Sequence, residues 1–470
     1  MSELAVVRPD ADAEPGSPLW WLRRLHAEIT DRNLRTQLFE MYYCGDHPLP
    51  WLPSQAQAEF RRILRMTRSN YMGLVIDATA ERLSVEGFRL AGEDGADEDT
   101  WRIWQANNLD SDSDKGILEA LIHGTAYTLI QPNGTDTPDI WIEHPSQTIV
   151  AYEAGTNRRK KAAGLKLWID DWTGRLNATL YLPNWVYKFD APVPRGDVQP
   201  KNLQWRERLV PGESWPARNL LGEVPLGELP NNPRLLTGGV SEIADVIDGQ
   251  DRANKTLADR LITQDFGAFP QKWATAYPET DSDGNAVPPI DIGRDRIVST
   301  DIAETKFGQW DAAPLDPYLN AKREDVKDIA SRTRTPAQYL LGEMSNVNGE
   351  TLKASESGLV AKVRQRMRSF SEGFEDTMRL ARKAAGLPTD VRMETLWRNP
   401  EFRTEAEITD AAVKQLASGL RDMRAAREFL GMSQTEIDLI EAREATTGLD
   451  ATLARITRPV VPGANGPAAP

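Results

Sequence analysis

The apolar positions of this chain change period several times, and each change marks an element. From Trp20 to Met41, the residues Leu22, Leu25, Ile29, Leu38 and Met41 fall near helical spacing with Arg and Glu between them, which predicts a helix. Gly45, Pro48, Pro50 and Pro53 force a turn-rich connector over 42–53, since they cannot share a helix. A second helix is expected over 70–83 on Leu74, Ile76, Ala80 and Leu83, then a strand at 85–90 and short helices at 101–109 and 115–124. The period then falls to two. Segments 126–131, 140–143, 148–153, 165–169, 178–182 and 186–189 are β-rich, with turn residues such as Pro132-Asn133-Gly134 and Thr173-Gly174 between them. They read as one antiparallel meander of five or six strands. The Pro- and Gly-rich stretch 192–233 reads as an irregular surface excursion.

Helical spacing returns at Ser241, a suitable N-cap, with Ile243, Val246 and Ile247 opening an apolar face. Gln250 and Asn254 occupy that stripe before Leu257 and Leu261 resume it, and Pro270 closes the segment. Amides on an apolar stripe fit packing against other helices through hydrogen bonds, as in an oligomer seam; a partly exposed helix in a monomer fits equally well. The insert at 269–310 holds Asp281-Ser282-Asp283-Gly284-Asn285. Its glycine is misplaced for a calcium loop and Ile292 stands where a bidentate Glu is required, so it reads as an Asp-Gly hairpin turn, with a short strand at 296–299. Asp316-Pro317 opens a returning helix over 317–333, and Pro336 stops it. A polar loop over 340–349 feeds a long helix over 350–385, in which Leu359, Val363, Met367, Phe370, Phe374, Met378, Ala381 and Ala385 form a sustained seam. Such a helix is roughly 50 Å long. Three shorter helices are expected at 404–418, 423–430 and 434–446, the last capped by Ser433, before a Pro/Gly/Ala-rich tail from Pro459 that reads as disordered.

A length of 470 residues exceeds one ordinary core and implies two to four domains or subdomains. No run of about 18 apolar residues exists, so no membrane span is expected, and the acidic N-terminus lacks the pattern of a signal peptide, which implies a cytoplasmic start. Cys44 is the only cysteine, which excludes intrachain disulfides, and it reads as a small semi-buried residue beside Tyr42 and Tyr43. His26, His47, His123 and His144 show no ligand spacing and read as turn or core residues. No phosphate-binding, dinucleotide, hydrolase or zinc-protease motif is present. Paired acids such as Asp170-Asp171, or Glu143 with Asp139, could bind metal for nuclease chemistry, but they read as solvated turn acids. The basic run 157–161 also reads as a solvated turn rather than a phosphate contact. No catalytic residue, metal or cofactor is therefore expected. The net charge of −14 argues against a protein that grips DNA by charge, yet it suits one that lets DNA pass without sticking; composition chooses neither.

Four segments carry a family resemblance: YYCGDHPLPW with FRRILRMTRSNYMGLVIDATAERLSVEGFR (42–51 and 60–89), SEIADVIDGQDRANKTLADRLITQDFGAFPQKW (241–273), TPAQYLLGEMSNVNGETLKASESGL (335–359) and the long helix that follows. With them the chain resembles the portal proteins of tailed double-stranded DNA bacteriophages, above all those of siphophages infecting actinobacteria. The resemblance implies an α+β portal fold. Its parts would be an N-terminal arm (1–18), a mixed α/β wing (19–240), a stem helix (241–264), a small α/β clip (265–312) and a second stem helix (313–334). A tunnel loop (335–350), a long helix with a wing return (351–399), crown helices (400–447) and a tail (448–470) complete it.

By the same resemblance the protein is not an enzyme. It would form a ring, usually of twelve copies, at the unique capsid vertex of the virion, made in the host cytoplasm, through which DNA is packaged and ejected. Met344, Ser345, Asn346, Val347, Asn348 and Gly349 would line the DNA channel. Gln250, Asn254, Leu257 and Leu261 would form the stem seam, and Leu359, Val363, Met367, Phe370, Phe374 and Met378 the long-helix seam. Asp281, Asp283, Asn285, Arg294 and Arg296 would contact the terminase large subunit or an adaptor. Further partners implied are head-completion, major capsid and scaffolding proteins, and DNA of any sequence, with no membrane. Twelve copies would carry a charge of roughly −170, which would keep a duplex from adhering to the channel wall. Another head–tail connector or minor capsid protein, and more remotely a metal-dependent DNA-processing enzyme, are the alternatives.

Overall fold

The computed structural model describes residues 14–52, 54–92, 96–156, 160–193, 203–235, 237–268, 272–275, 304–342, 349–401, 405–420, 422–432 and 434–456. The chain begins with α1 (Pro18–Tyr43), α2 (Ser54–Arg65), α3 (Tyr71–Ala80), β1 (Val85–Leu90), α4 (Glu98–Ala106) and α5 (Leu109–His123). Strands follow: β2 (Thr125–Gln131), β3 (Asp139–Glu143), β4 (Thr148–Tyr152), β5 (Lys161–Asp170), β6 (Arg175–Tyr181), β7 (Trp185–Pro192), the two-residue β8 (Arg206–Glu207) and β9 (Ala217–Arg218), and β10 (Leu226–Pro230). Then come α6 (Ile247–Ala268), β11 (Lys272–Thr275), β12 (Lys306–Gln309), α7 (Asp316–Thr333), α8 (Ala337–Leu341) and α9 (Gly349–Ala384). β13 (Met393–Trp397), α10 (Glu405–Ala417), α11 (Met423–Phe429) and α12 (Gln434–Ile456) complete the α+β chain. Among the described residues every strand pairing is antiparallel.

Two compact units divide these elements. One draws on the ranges Met1–Glu40, Ile76–Glu242 and Val347–Pro470, the other on Met41–Val75 and Ile243–Asn346. Residues 41–75, grouped above with 19–240, thus pack with the 243–346 segment.

In the first unit the expected single meander is two sheets. β4 leaves β3 after a turn at His144–Gln147 and starts a sheet of order β4-β5-β6-β7-β8, with β9 also on β7. β2 and β3 belong to a three-stranded sheet whose third member is β10. The stretch 192–233 is therefore not a mere surface excursion. β10 pairs with β2 from Leu226↔Leu129 to Pro230↔Thr125, and Leu226 through Leu229 are buried. Flanking prolines and a central Gly-Glu hide this strand from any alternation test. β13 is also new: it pairs with β1 across some 300 residues of chain, from Val85↔Trp397 to Leu90↔Met393.

α9 covers the β10-β2 sheet. Leu359, Val363, Phe370, Phe374, Met378 and Ala381 are fully buried and Met367 nearly so, because its 3-4 spacing keeps one stripe facing inward for many turns. The approach is close. A side chain at Gly373 would collide with the Glu228 carbonyl, and one at Gly227 with the hydroxyls of Thr128 and Thr377, which bond each other at 2.7 Å. Charged anchors surround this contact. Asp376 pairs with Lys161, Arg382 with Asp97 at the N-cap of α4, and Glu242 with Arg366 and Lys362.

α1 lies on the other sheet. Leu22, Leu25 and Ile29 pack with Ile149, Ala163, Leu165, Leu167, Ala178, Leu180 and Phe189. His26 shares that helix, buried against the edge of Trp205 at 5.7 Å, and burial pushes its imidazole down to about 4. A folded-state pKa below the unfolded value of 6.5 means the unfolded chain binds the extra proton between these pH values. Stability from neutral His26 is complete above pH 6.5 and is lost as pH falls towards 4, by roughly 3 kcal/mol at the acid end. Urea denaturation at pH 7 and pH 4.5 should show a smaller acid loss in His26→Gln than in the wild type; an equal loss would mean that His26 titrates normally.

Some boundaries differ from expectation. α6 starts at Ile247 rather than Ser241, and residues 242–246 form turns. α12 runs on to Ile456 instead of stopping near 446. Leu74 is exposed, because Met72, Val75, Ile76 and Thr79 carry the buried face of α3. Cys44 is exposed rather than semi-buried. The expected strand at 296–299, the Ser433 cap and the tail from Pro459 lie outside the described residues; the insert is flanked instead by the β11–β12 pair, from Lys272↔Gln309 to Thr275↔Lys306.

Candidate functional site

The α6–α7 pair forms the centre of the second unit. Its contacts descend in register: Gly249 faces Ile329, Arg252 reaches Asp325 (2.6 Å) and Asp328 (2.7 Å), Thr256 donates to Asp325 (2.9 Å), and Thr263 to Tyr318 (3.3 Å). The helices are therefore antiparallel. Together they carry eight acids against seven bases, so the acidity of the whole chain is not concentrated here.

Gln250 and Asn254 are almost fully buried, and their bonds are made within the chain. Gln250 Nε2 donates to the Ser69 carbonyl (2.6 Å) and to Asn254 Oδ1 (3.0 Å), while Gln250 Oε1 accepts from the Tyr71 amide (3.0 Å). Asn254 Oδ1 accepts from the Ser69 amide (3.1 Å), and its Nδ2 lies 3.1 Å from His47 Nδ1. With Nδ1 accepting, the His47 Nε2–H donates to the Tyr42 carbonyl (3.2 Å). Burial lowers the His47 pKa, in keeping with this neutral form. Burial, then the Asp251 carboxylate 2.8 Å away, raises that of the Tyr42 hydroxyl. The two amides thus bond the backbone at Ser69 and the first amide of α3. They are neither an oligomer seam nor an exposed stripe. Leu257 is buried beside them and Leu261 half-buried.

The long-helix seam faces its own unit's β2, β10 and β13. Met344, Ser345, Asn346, Val347 and Asn348 lie outside the described residues, and Gly349 is the first residue of α9. Asp281, Asp283, Asn285, Arg294 and Arg296 also lie outside them.

Three of the four candidate nuclease acids are accounted for locally. Asp170 caps its own turn through the Trp172 amide (2.9 Å) and Thr173 hydroxyl (2.9 Å), which lowers its pKa. Glu143 is buried and pairs with Lys166, whereas Asp139 accepts from Asn133 (3.1 Å). Of the basic run, Lys160 pairs with Glu153 and Lys161 with Asp376; 157–159 lie outside the described residues. Two of the four histidines do meet. His123 and His144 converge with Glu119, which stands four residues before His123 on α5. Burial alone would raise the Glu119 carboxyl, but the facing imidazoles outweigh it and hold it at about 2. That i,i+4 Glu–His spacing was the overlooked signal.

The profile of the phage portal protein family, SPP1 Gp6-like, matches residues 23–448. This chain belongs to that family. The portal protein of Mycobacterium phage D29 is 32% identical over 427 residues, covering 84% of this chain and 84% of that protein. The portal protein of Mycobacterium phage L5 is 32% identical over 432 residues, covering 85% and 84%. Among solved structures, a chain from the neck of an empty GTA particle, computed with C6 symmetry, aligns with a TM-score of 0.42 at 12% identity, covering 82% of this chain and 95% of its own. A chain from the neck of a native GTA particle, computed with C12 symmetry, aligns with a TM-score of 0.39 and the same identity and coverage. As a phage portal protein the chain is a virion component, in a family that is structural rather than catalytic. No helix among its described residues is long and apolar enough to cross a membrane.

Proposed function

We propose that copies of this chain, twelve by the family's habit, close into a ring at one capsid vertex through which double-stranded DNA enters and leaves the virion. The observation that carries the reading is the family match over 23–448, which spans the α6–α7 pair, the insert between them and α9 without a break. The ring takes no part in bond chemistry; a separate terminase hydrolyses ATP and docks on the insert at 265–312, where Asp281, Asp283, Asn285, Arg294 and Arg296 offer charge. Head-completion, capsid and scaffolding proteins bind other faces, and the chain is made in the host cytoplasm. Residues 344–349 line the channel.

The α6–α7 pair supports this role. Its buried amides, Gln250 and Asn254, are satisfied within the chain, which leaves outward side chains for neighbouring copies. Phe266 and Leu319 are exposed apolar residues on these helices, as a helix that packs against a second copy requires. Electron microscopy of the purified full-length chain tests the reading. Closed rings with an axial opening that admits a DNA duplex are expected, and only single chains or open filaments would overturn it.

A further inference from the structure

The first unit contains one cluster for which a channel has no use. Glu119 and His123 lie one turn apart on α5, and the turn after β3 brings His144 to them. Glu119 Oε2 is 3.1 Å from both His123 Nε2 and His144 Nε2, and the two nitrogens are 3.3 Å apart. Tetrahedral zinc bonds of 2.0–2.1 Å to nitrogen and 2.0–2.2 Å to oxygen separate neighbouring ligand atoms by about 3.3 Å. The triangle therefore has the dimensions of one face of a zinc tetrahedron. Glu40 Oε2, 3.5 Å from His123 Nε2 and half exposed, approaches from α1 as a fourth donor.

One further detail favours a cation over simple ion pairing. Glu119 Oε2 is buried and 3.1 Å from both ring nitrogens, yet aligned for a hydrogen bond with neither. The His123 side chain is only 1% exposed, and its Nε2 is the nitrogen that faces Glu119 and His144. His144 is held from behind by Ser146, whose Oγ lies 2.6 Å and backbone N 3.0 Å from Nδ1. The Ser146 amide donates to Nδ1, so the neutral ring carries its proton on Nε2, towards Glu119, and a cation bound there displaces that proton to solvent.

We propose that Glu119, His123 and His144 form a structural site for a late first-row divalent cation, zinc foremost, that ties α5 to the β3–β4 turn. Two imidazoles and a carboxylate select zinc over magnesium or calcium, which take oxygen ligands. The proposal does not rest on the DNA-conducting role.

The test uses the full-length chain, stripped by a chelator and titrated with Zn²⁺ alone. One Zn²⁺ per chain should bind, raise the Tm, and give the intense visible absorption of a four-coordinate site when Co²⁺ replaces it. His144→Ala, at a half-exposed position, should weaken Zn²⁺ binding on the order of 100-fold or more and abolish the Tm rise, since losing a ligand costs at least as much as losing an outer-shell partner. Glu119→Gln should do the same, and its binding decides the matter if His144→Ala fails to fold. Absence of stoichiometric binding to the wild type, or equal binding by a folded variant, would overturn the proposal and leave the cluster as a proton-held pair.

Discussion

Replacing Glu242 with alanine is expected to cost about 3–5 kcal/mol of folding free energy, the effect of breaking a buried ion pair by removing one partner. The Glu242 side chain is 5% exposed and faces two bases, Arg366 at 8% and Lys362 at 4%, the latter 3.7 Å away. It also accepts from Asn231 Nδ2 at 3.1 Å, while its amide donates to the Leu121 carbonyl at 3.0 Å. The variant leaves two cations buried without their acid, on the helix that covers the central sheet. The surface pair Lys327–Glu324 provides the contrast: both partners are more than half exposed, and Lys327→Ala should cost under about 0.5 kcal/mol. Urea denaturation of the three proteins measures the difference. A loss below about 1 kcal/mol for Glu242→Ala would mean that water reaches the cluster. The pH response has a definite sign. Burial raises the Glu242 carboxyl, but Lys362 and Arg366 outweigh it and the pKa falls below the ordinary 4.5, so this contribution is complete above that value and is lost as pH drops through the lower folded pKa.

Deleting Ser345–Gly349 is expected to leave rings intact and to reduce infectious titre by orders of magnitude. The segment lies between α8, capped by Gly342 in the left-handed conformation, and α9, whose first residue it includes. The α9 seam begins ten residues later at Leu359, so the deletion removes none of the core that holds the helix down. Its residues are neutral and small, suited to transient contact with a moving duplex. Packaged DNA per particle, measured by nuclease protection, is the readout. Loss of oligomerisation on deletion would show that the segment builds the ring instead of lining it.

The parts of this fold that were legible in the sequence are those whose signal is local and repeated. The α9 seam persists through eight apolar positions, so small errors of phase cannot move it to the other face. β5, β6 and β7 follow one another through tight turns, and alternation located all three. β10 and β13 escaped because their partners, β2 and β1, lie far away in sequence, and because Gly227, Glu228 and Pro230 mask the former. Gln250 and Asn254 were found as polar residues on an apolar stripe, but their partners at Ser69, Tyr71 and His47 are some 180 to 210 positions away. No reading of α6 alone could have supplied them. Glu119 and His123 were within reach of sequence reasoning, being one helical turn apart; His144 joins them only through the β3–β4 turn.

The central claim is that this chain works as a closed ring. Native mass measurement of the assembled full-length protein tests it most directly. Twelve copies of 52.5 kDa predict a single species near 630 kDa, and a neighbouring integer would still be a ring of the same kind. A mass that stays at one chain under every condition of salt and concentration would contradict the account.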